Sequence, residues 1–218
     1  MDDLAEVPVP TDLADAAALP LAGITALCTL RAGGPILGKR VLVTGASGGV
    51  GRMAVQLAAL GGAHVIAFVG SPVRGEGLAG LGAHEVLVGL DGVDKPVDLV
   101  LDNVGGSQLV SAWNLLAPGG GLQSIGWASG EPAEFPPYST FALGPARTLS
   151  SFGDAANVGP DLATLVDLLT AGRLTVGIGW RGPMGPRRRS RLQPPGGGQG
   201  RPRCGTVRLL SVSRPVGR

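Results

Sequence analysis

The sequence predicts an α/β fold, a doubly wound parallel sheet with helices on both faces. Three observations predict it. Short apolar runs rich in β-branched residues alternate with segments of helical periodicity along most of the chain. Those runs lack polar alternation, as strands buried on both faces require. A glycine-rich turn joins the first run directly to a helix, the junction on which such sheets build a ligand site.

The order begins with a helical lead-in over residues 1–35. Val7 to Pro10 is extended, Thr11 or Asp12 is placed to cap a helix from Leu13, and Pro20 ends that helix or starts the next. Leu21, Ile24, Leu27 and Cys28 give a second helix its apolar stripe, which Gly33-Gly34-Pro35 stops. Arg40 to Thr44 is the first strand, and Val50 to Leu60 the helix after the turn. His64 to Val69, Glu85 to Val88 and Val97 to Leu101 are the next three strands. A helix over Gln108 to Leu116 ends at Pro118-Gly119-Gly120, and Leu122 to Ile125 is a fifth strand. Gly126 to Gly159 has no strong period and is expected to be a long irregular connection at the carboxyl edge of the sheet. Asp161 to Thr170 is an amphipathic helix, and Leu174 to Ile178 a sixth strand. Residues 36–180 are therefore expected to form one domain.

Charge divides the chain more sharply than its net value of +2 suggests. Residues 1–180 hold eight Lys and Arg against all 16 Asp and Glu, whereas residues 181–218 hold ten Arg and no acid. That last stretch, rich in Arg, Pro and Gly, cannot bury a core and is expected to be a disordered basic C-terminal tail. It contains no aromatic residue to stack on bases, so nucleic acid is not the favoured partner. The abrupt junction near Arg181 favours a shifted reading frame over a functional basic arm. Cys28 and Cys204, far apart, make neither a disulfide framework nor a cysteine-rich zinc site. Apolar stretches are expected to break at Gly, Pro or charge before membrane-spanning length, and the acidic start Met1-Asp2-Asp3 lacks the basic region of a signal peptide. The expected location is the cytoplasm, with no membrane partner.

The turn itself runs from Thr44 to Gly51, as Thr44-Gly45-Ala46-Ser47-Gly48-Gly49-Val50-Gly51. Strand, turn and helix in that order make this a Rossmann-type dinucleotide-binding turn. Gly48 allows the chain to approach a pyrophosphate, and Gly51 allows the helix to pack on the strand. The helix start presents N–H groups and partial positive charge to the phosphates. Ala46 stands where the strictest pattern has its first glycine, which requires a slightly different turn. The candidate cofactor contacts here are Thr44, Ala46, Ser47, Gly48, Gly49, Val50 and Gly51.

Two families share such a turn. The short-chain dehydrogenases use a Tyr and a Lys four residues later; the only Tyr is Tyr138, followed at that distance by Ala142, so that active site is missing. From about Val7 to Trp180 the chain instead resembles the cofactor half of the medium-chain dehydrogenase/reductases, in their zinc-independent quinone oxidoreductase-like branch. The resemblance is carried by Ala16 to Leu27, Gly38 to Gly51, Leu81 to Ala83, Asp98 to Gly106, Leu116 to Gly120 and Ile125-Gly126. It implies that Asn103, Val104 and the loop after Gly126 line the cofactor, and that the substrate is a quinone, enone or related carbonyl compound. It also implies a substrate domain of β-strands preceding this segment, for which the sequence has no room. Relatives dimerise through the edge strand of the cofactor domain, so a homodimer is one state the resemblance allows.

The second strand ends in Phe68-Val69-Gly70-Ser71, without the acid that bonds the ribose 2′-hydroxyl of NAD. Arg74, three residues on, sits where relatives carry a cation against the 2′-phosphate; its other reading is a solvated charge at a helix start. The expected cofactor is therefore NADP(H), held at Ser71 and Arg74. His64 and His84 are expected to lie apart and to be structural or surface residues, so no catalytic zinc is expected. No catalytic acid or base is assigned, and Asp102 is expected only to orient a loop.

Overall fold

The computed structural model describes residues 3–141, 143–153 and 155–178. Six parallel strands, β1 (Arg40–Thr44), β2 (His64–Phe68), β3 (Glu85–Leu87), β4 (Val97–Asp102), β5 (Leu116–Ser124) and β6 (Thr148–Ser151), form one sheet in the order β3-β2-β1-β4-β5-β6. The order reverses between β1 and β4, which opens a crevice at their carboxyl ends. Alternate residues of the central strands feed two cores. Val41, Val43, Val65, Ala67, Leu99 and Leu101 pack against α2 (Ile24–Ala32), α3 (Gly49–Leu60) and α5 (Gly159–Thr170). Leu42, Ile66, Val100 and Leu122 pack against Leu109 and Trp113 of α4 (Gly106–Asn114) on the other face. The α/β, Rossmann-type doubly wound parallel sheet expected from the sequence is thus present.

The lead-in is more continuous than its sequence suggests. Asp12 caps the short α1 (Leu13–Ala16), its Oδ1 accepting from the N–H of Ala14 at 2.7 Å. Pro20 is the second residue of a π-helical segment, Leu19–Gly23, that runs straight into α2. Leu13–Ala32 is therefore a helical run of 20 residues with mean hydropathy 1.7, long and apolar enough to cross a membrane by length and composition. This corrects the expectation that no apolar stretch reaches that length. In this fold Leu19, Ile24, Ala26 and Leu30 belong to the core beside α3 and α5.

Other boundaries also move. The helix expected to reach Leu116 ends at Asn114, and β5 already begins at Leu116, with a register irregularity opposite Val97 to Leu99 that accommodates Pro118-Gly119-Gly120. The stretch expected to be irregular from Gly126 to Gly159 contains β6, whose four residues are all exposed. Conversely, Leu174 to Ile178 is no strand. Its backbone is held by a side chain instead: Gln56 of α3 accepts from the N–H of Thr175 at 2.8 Å and donates to its carbonyl at 3.0 Å. The domain end at Trp180, the tail of residues 181–218 and Cys204 lie outside the described residues.

Candidate cofactor site

The turn after β1 is set by one backbone requirement and one packing requirement. Gly45 adopts φ +61°, and a Cβ there would stand 3.2 Å from the Cβ of Asn103 and 3.3 Å from Cγ2 of Val104. At Gly51 a Cβ would meet the carbonyl oxygen of Gly45 at 2.3 Å and the Cα of Ala46 at 2.6 Å, so only glycine lets α3 start this close to β1. The Gly48 N–H closes the turn on the Gly45 carbonyl at 3.0 Å. Gly48 and Gly49 are exposed, and α3 has no side-chain cap. Its first-turn N–H groups, which no intrahelical carbonyl can satisfy, therefore face solvent at the positive end of a 12-residue helix. That arrangement fits an anionic pyrophosphate. Ser47 and Val50, half-buried, flank the exposed glycines.

Thr44 and Ala46 play a different part. Both are fully buried, and the Ala46 N–H is spent on the Phe68 carbonyl at 3.1 Å. The Thr44 hydroxyl donates to Oδ1 of Asp102 at 2.6 Å and accepts from the N–H of Asn103 at 3.1 Å. The Asn103 amide returns a bond from Nδ2 to the Thr44 carbonyl at 2.9 Å. These two residues hold the turn from beneath.

Asp102 is the centre of that support. It is fully buried at the end of β4, and its Oδ2 accepts from the N–H of Gly105 at 2.9 Å. Its carbonyl accepts from Ile125 at 2.7 Å and Gly126 at 3.2 Å, which ties β5 to the same point. Burial pushes the Asp102 carboxyl above its ordinary range, while bonds from Thr44, Gly105 and Val104 pull it back. Gly126 lies so near that a Cβ would be 3.0 Å from the Asn103 carbonyl oxygen. Asn103, Val104 and Gly126 are thereby brought beside the glycine turn.

Ser71 and Arg74 follow β2, the strand next to β1 on the other side. Ser71 precedes a 3₁₀ turn, Pro72–Gly75, and its hydroxyl does not cap it. Arg74 is exposed and makes no ion pair among the described residues. The residues expected to meet a cofactor thus lie along one edge, from β2 through β1 to β4 and β5, with Thr44 and Ala46 buried beneath it. Clefts of about 380 and 430 Å³ lie elsewhere, against α2 and the strands β5 and β6, and include none of them.

Residues 49–171 match the family model described as zinc-binding dehydrogenase. The chain belongs to the medium-chain dehydrogenase/reductase family, as its cofactor-binding domain. Among this family's members it is 35% identical over 155 residues to prostaglandin reductase-3 of Bos taurus, covering 66% of this chain and 41% of that protein. It is 41% identical over 104 residues to the mitochondrial NAD(P)H oxidoreductase RTN4IP1 of Bos taurus, covering 42% of this chain and 26% of that one. The quinone oxidoreductase of Pseudomonas syringae pv. Tomato superposes with a TM-score of 0.64 at 29% identity, covering 73% of this chain and 54% of that structure. The chain spans less than half the length of these curated relatives.

Among the described residues, no three His, Cys, Asp or Glu side chains gather as ligands. His64 and His84, expected to lie apart, are in fact neighbours, with ring centroids 4.6 Å apart. Parallel pairing of β2 with β3 brings them together, and it also lets Nε2 of His64 bond Oε1 of Glu85 at 2.6 Å. The Val65 N–H donates to Nδ1 of His84 at 3.1 Å. This pair sits at the amino edge of the sheet, opposite the candidate site.

The sequence marks Gly45 only as part of the turn, Gly105 only as part of the block Asp98 to Gly106, and Trp127 only as part of the loop after Gly126. Gly45 is recognisable as the residue where a buried strand must turn sharply. Gly105 and Trp127 depend on a contact across two loops, for which the sequence carries no signal.

Proposed function

We propose that this chain binds NADP(H) and serves hydride transfer to a quinone, enone or related carbonyl compound without zinc. One observation carries the cofactor preference: β2 ends without an acid, and exposed Arg74, with no ion pair among the described residues, stands beyond it on the edge that holds the glycine turn. An Arg fork suits a 2′-phosphate and repels nothing in it, whereas a ribose 2′-hydroxyl needs an acceptor that is absent here. Similarity to prostaglandin reductase-3 and to the quinone oxidoreductase supports the substrate class.

When bound, the dinucleotide supplies the hydride. The chain's own residues bind and orient it. First-turn N–H groups of α3 receive the pyrophosphate, Ser71 and Arg74 the 2′-phosphate, and Asn103, Val104 and Gly126 border the far end. Asp102 is buried and fully engaged, so it positions these loops and transfers no proton to substrate. Steady-state oxidation of NADPH against a panel of quinones and enones tests the activity. Turnover with any of them supports it. Because the chain spans less than half its relatives, the second reading is dinucleotide binding without turnover, favoured by NADPH binding with no oxidation across the panel. A second copy of this chain is the proposed protein partner, through the exposed edge strand β6, and sedimentation reads that state.

A further inference from the structure

An aromatic side chain stands on the β4–β5 side of the edge, next to Gly126. The Trp127 ring lies on the backbone of Gly105, where a Cβ would fall 2.5 Å from its Cδ2 and 2.8 Å from its Cε2. Gly105, at φ +72°, also donates its N–H to Asp102. The indole Nε1 donates to the Glu131 carbonyl, and the Ser129 N–H fastens the same loop to the Val104 carbonyl at 2.9 Å. The ring is thus fixed in position, with its only polar atom already bonded. Yet 48% of the residue remains exposed. An apolar, rigid, half-bare ring offers a planar ligand stacking area at small entropic cost.

Strand order says which part of a ligand it meets. With the 2′-phosphate beyond β2 and the pyrophosphate after β1, a dinucleotide laid along the edge carries its nicotinamide end toward β4 and β5. We propose that Trp127 is the aromatic wall of the nicotinamide end, its open face packing on the nicotinamide ring and so fixing which way that ring lies. This rests on the dinucleotide reading above. Asn103 and Val104, to whose carbonyls the N–H groups of Ala128 and Ser129 bond, link this loop to Gly45 of the glycine turn.

The test uses the full chain with two probes: NADP⁺, and adenosine 2′,5′-bisphosphate, which lacks the nicotinamide. Calorimetry should show Trp127→Ala weakening NADP⁺ about tenfold, in the range of ring stacking, with the bisphosphate unchanged. Indole emission of the unaltered chain should be quenched by NADP⁺ through contact with the pyridinium and not by the bisphosphate. In Trp127→Phe, NADP⁺ should still bind while that specific quenching disappears, a result that a merely structural role for the indole does not produce. Quenching that persists in Trp127→Phe, an unchanged NADP⁺ affinity in Trp127→Ala, or equal losses for both probes would overturn the proposal. If the unaltered chain binds no NADP⁺ by calorimetry, the dinucleotide reading and this proposal fall together.

Discussion

The Thr44 hydroxyl donates to Oδ1 of Asp102 at 2.6 Å, joining the ends of β1 and β4 beneath the glycine turn. The same carboxylate receives Gly105, and the same hydroxyl receives Asn103, so one buried pair sets the positions of both loops of the candidate site. Removing it is costly. Asp102→Ala leaves the Gly105 N–H and the Thr44 hydroxyl without acceptors and should lower stability by about 3 kcal/mol in urea denaturation.

The same carboxyl gives stability a pH dependence. Its folded-state value is raised above the ordinary 3.8, so the folded chain holds the proton more tightly than the unfolded one. Its contribution is complete below the ordinary value and is lost as pH rises through the raised folded value. Asp102→Asn cannot titrate. The stability of the unaltered chain relative to Asp102→Asn should therefore fall as pH rises through that window, and a difference constant with pH would contradict the shift.

Gly51→Ala places a methyl 2.3 Å from the Gly45 carbonyl oxygen and 2.6 Å from the Cα of Ala46, both backbone atoms. The start of α3 must move from β1, at a cost of about 3 kcal/mol. Comparable urea midpoints for Gly51→Ala and the unaltered chain would show that the junction is looser than these distances indicate.

Gln56 does for residues 174–178 what a neighbouring strand does elsewhere, through two bonds to the Thr175 backbone and a third from its hydroxyl at 3.0 Å. Gln56→Ala should cost about 2 kcal/mol and expose Thr175 to faster amide exchange, while β1 keeps its protection.

These residues also show what the sequence makes legible. The turn, its strand and α3 were readable because a β-branched run, four glycines and a helical period coincide within about 20 residues, and each constrains the others. The Asp12 cap was readable for the same local reason. β6 was not, because Thr148-Leu149-Ser150-Ser151 is exposed throughout and burial writes no pattern into it. Leu174 to Ile178 misled in the opposite direction. Leu174 is buried and Val176 packs on the core, which imitates a strand, but the backbone partner is a side-chain amide 119 residues away in sequence. Distance along the chain also hid the contact between His64 and His84, and the reach of Asp102 to Thr44, 58 residues earlier. An acid closing an apolar strand was visible; its partners were not.

The proposed preference for NADP(H) rests on Arg74, and comparative titration of NADPH and NADH reads it. The unaltered chain should bind NADPH more tightly than NADH. Arg74→Glu should weaken NADPH by about a hundredfold, as loss of a charge-assisted fork and its replacement by a repelling carboxylate imply, and leave NADH within about twofold. Equal losses for both nucleotides, or no preference in the unaltered chain, would rule out this role for Arg74.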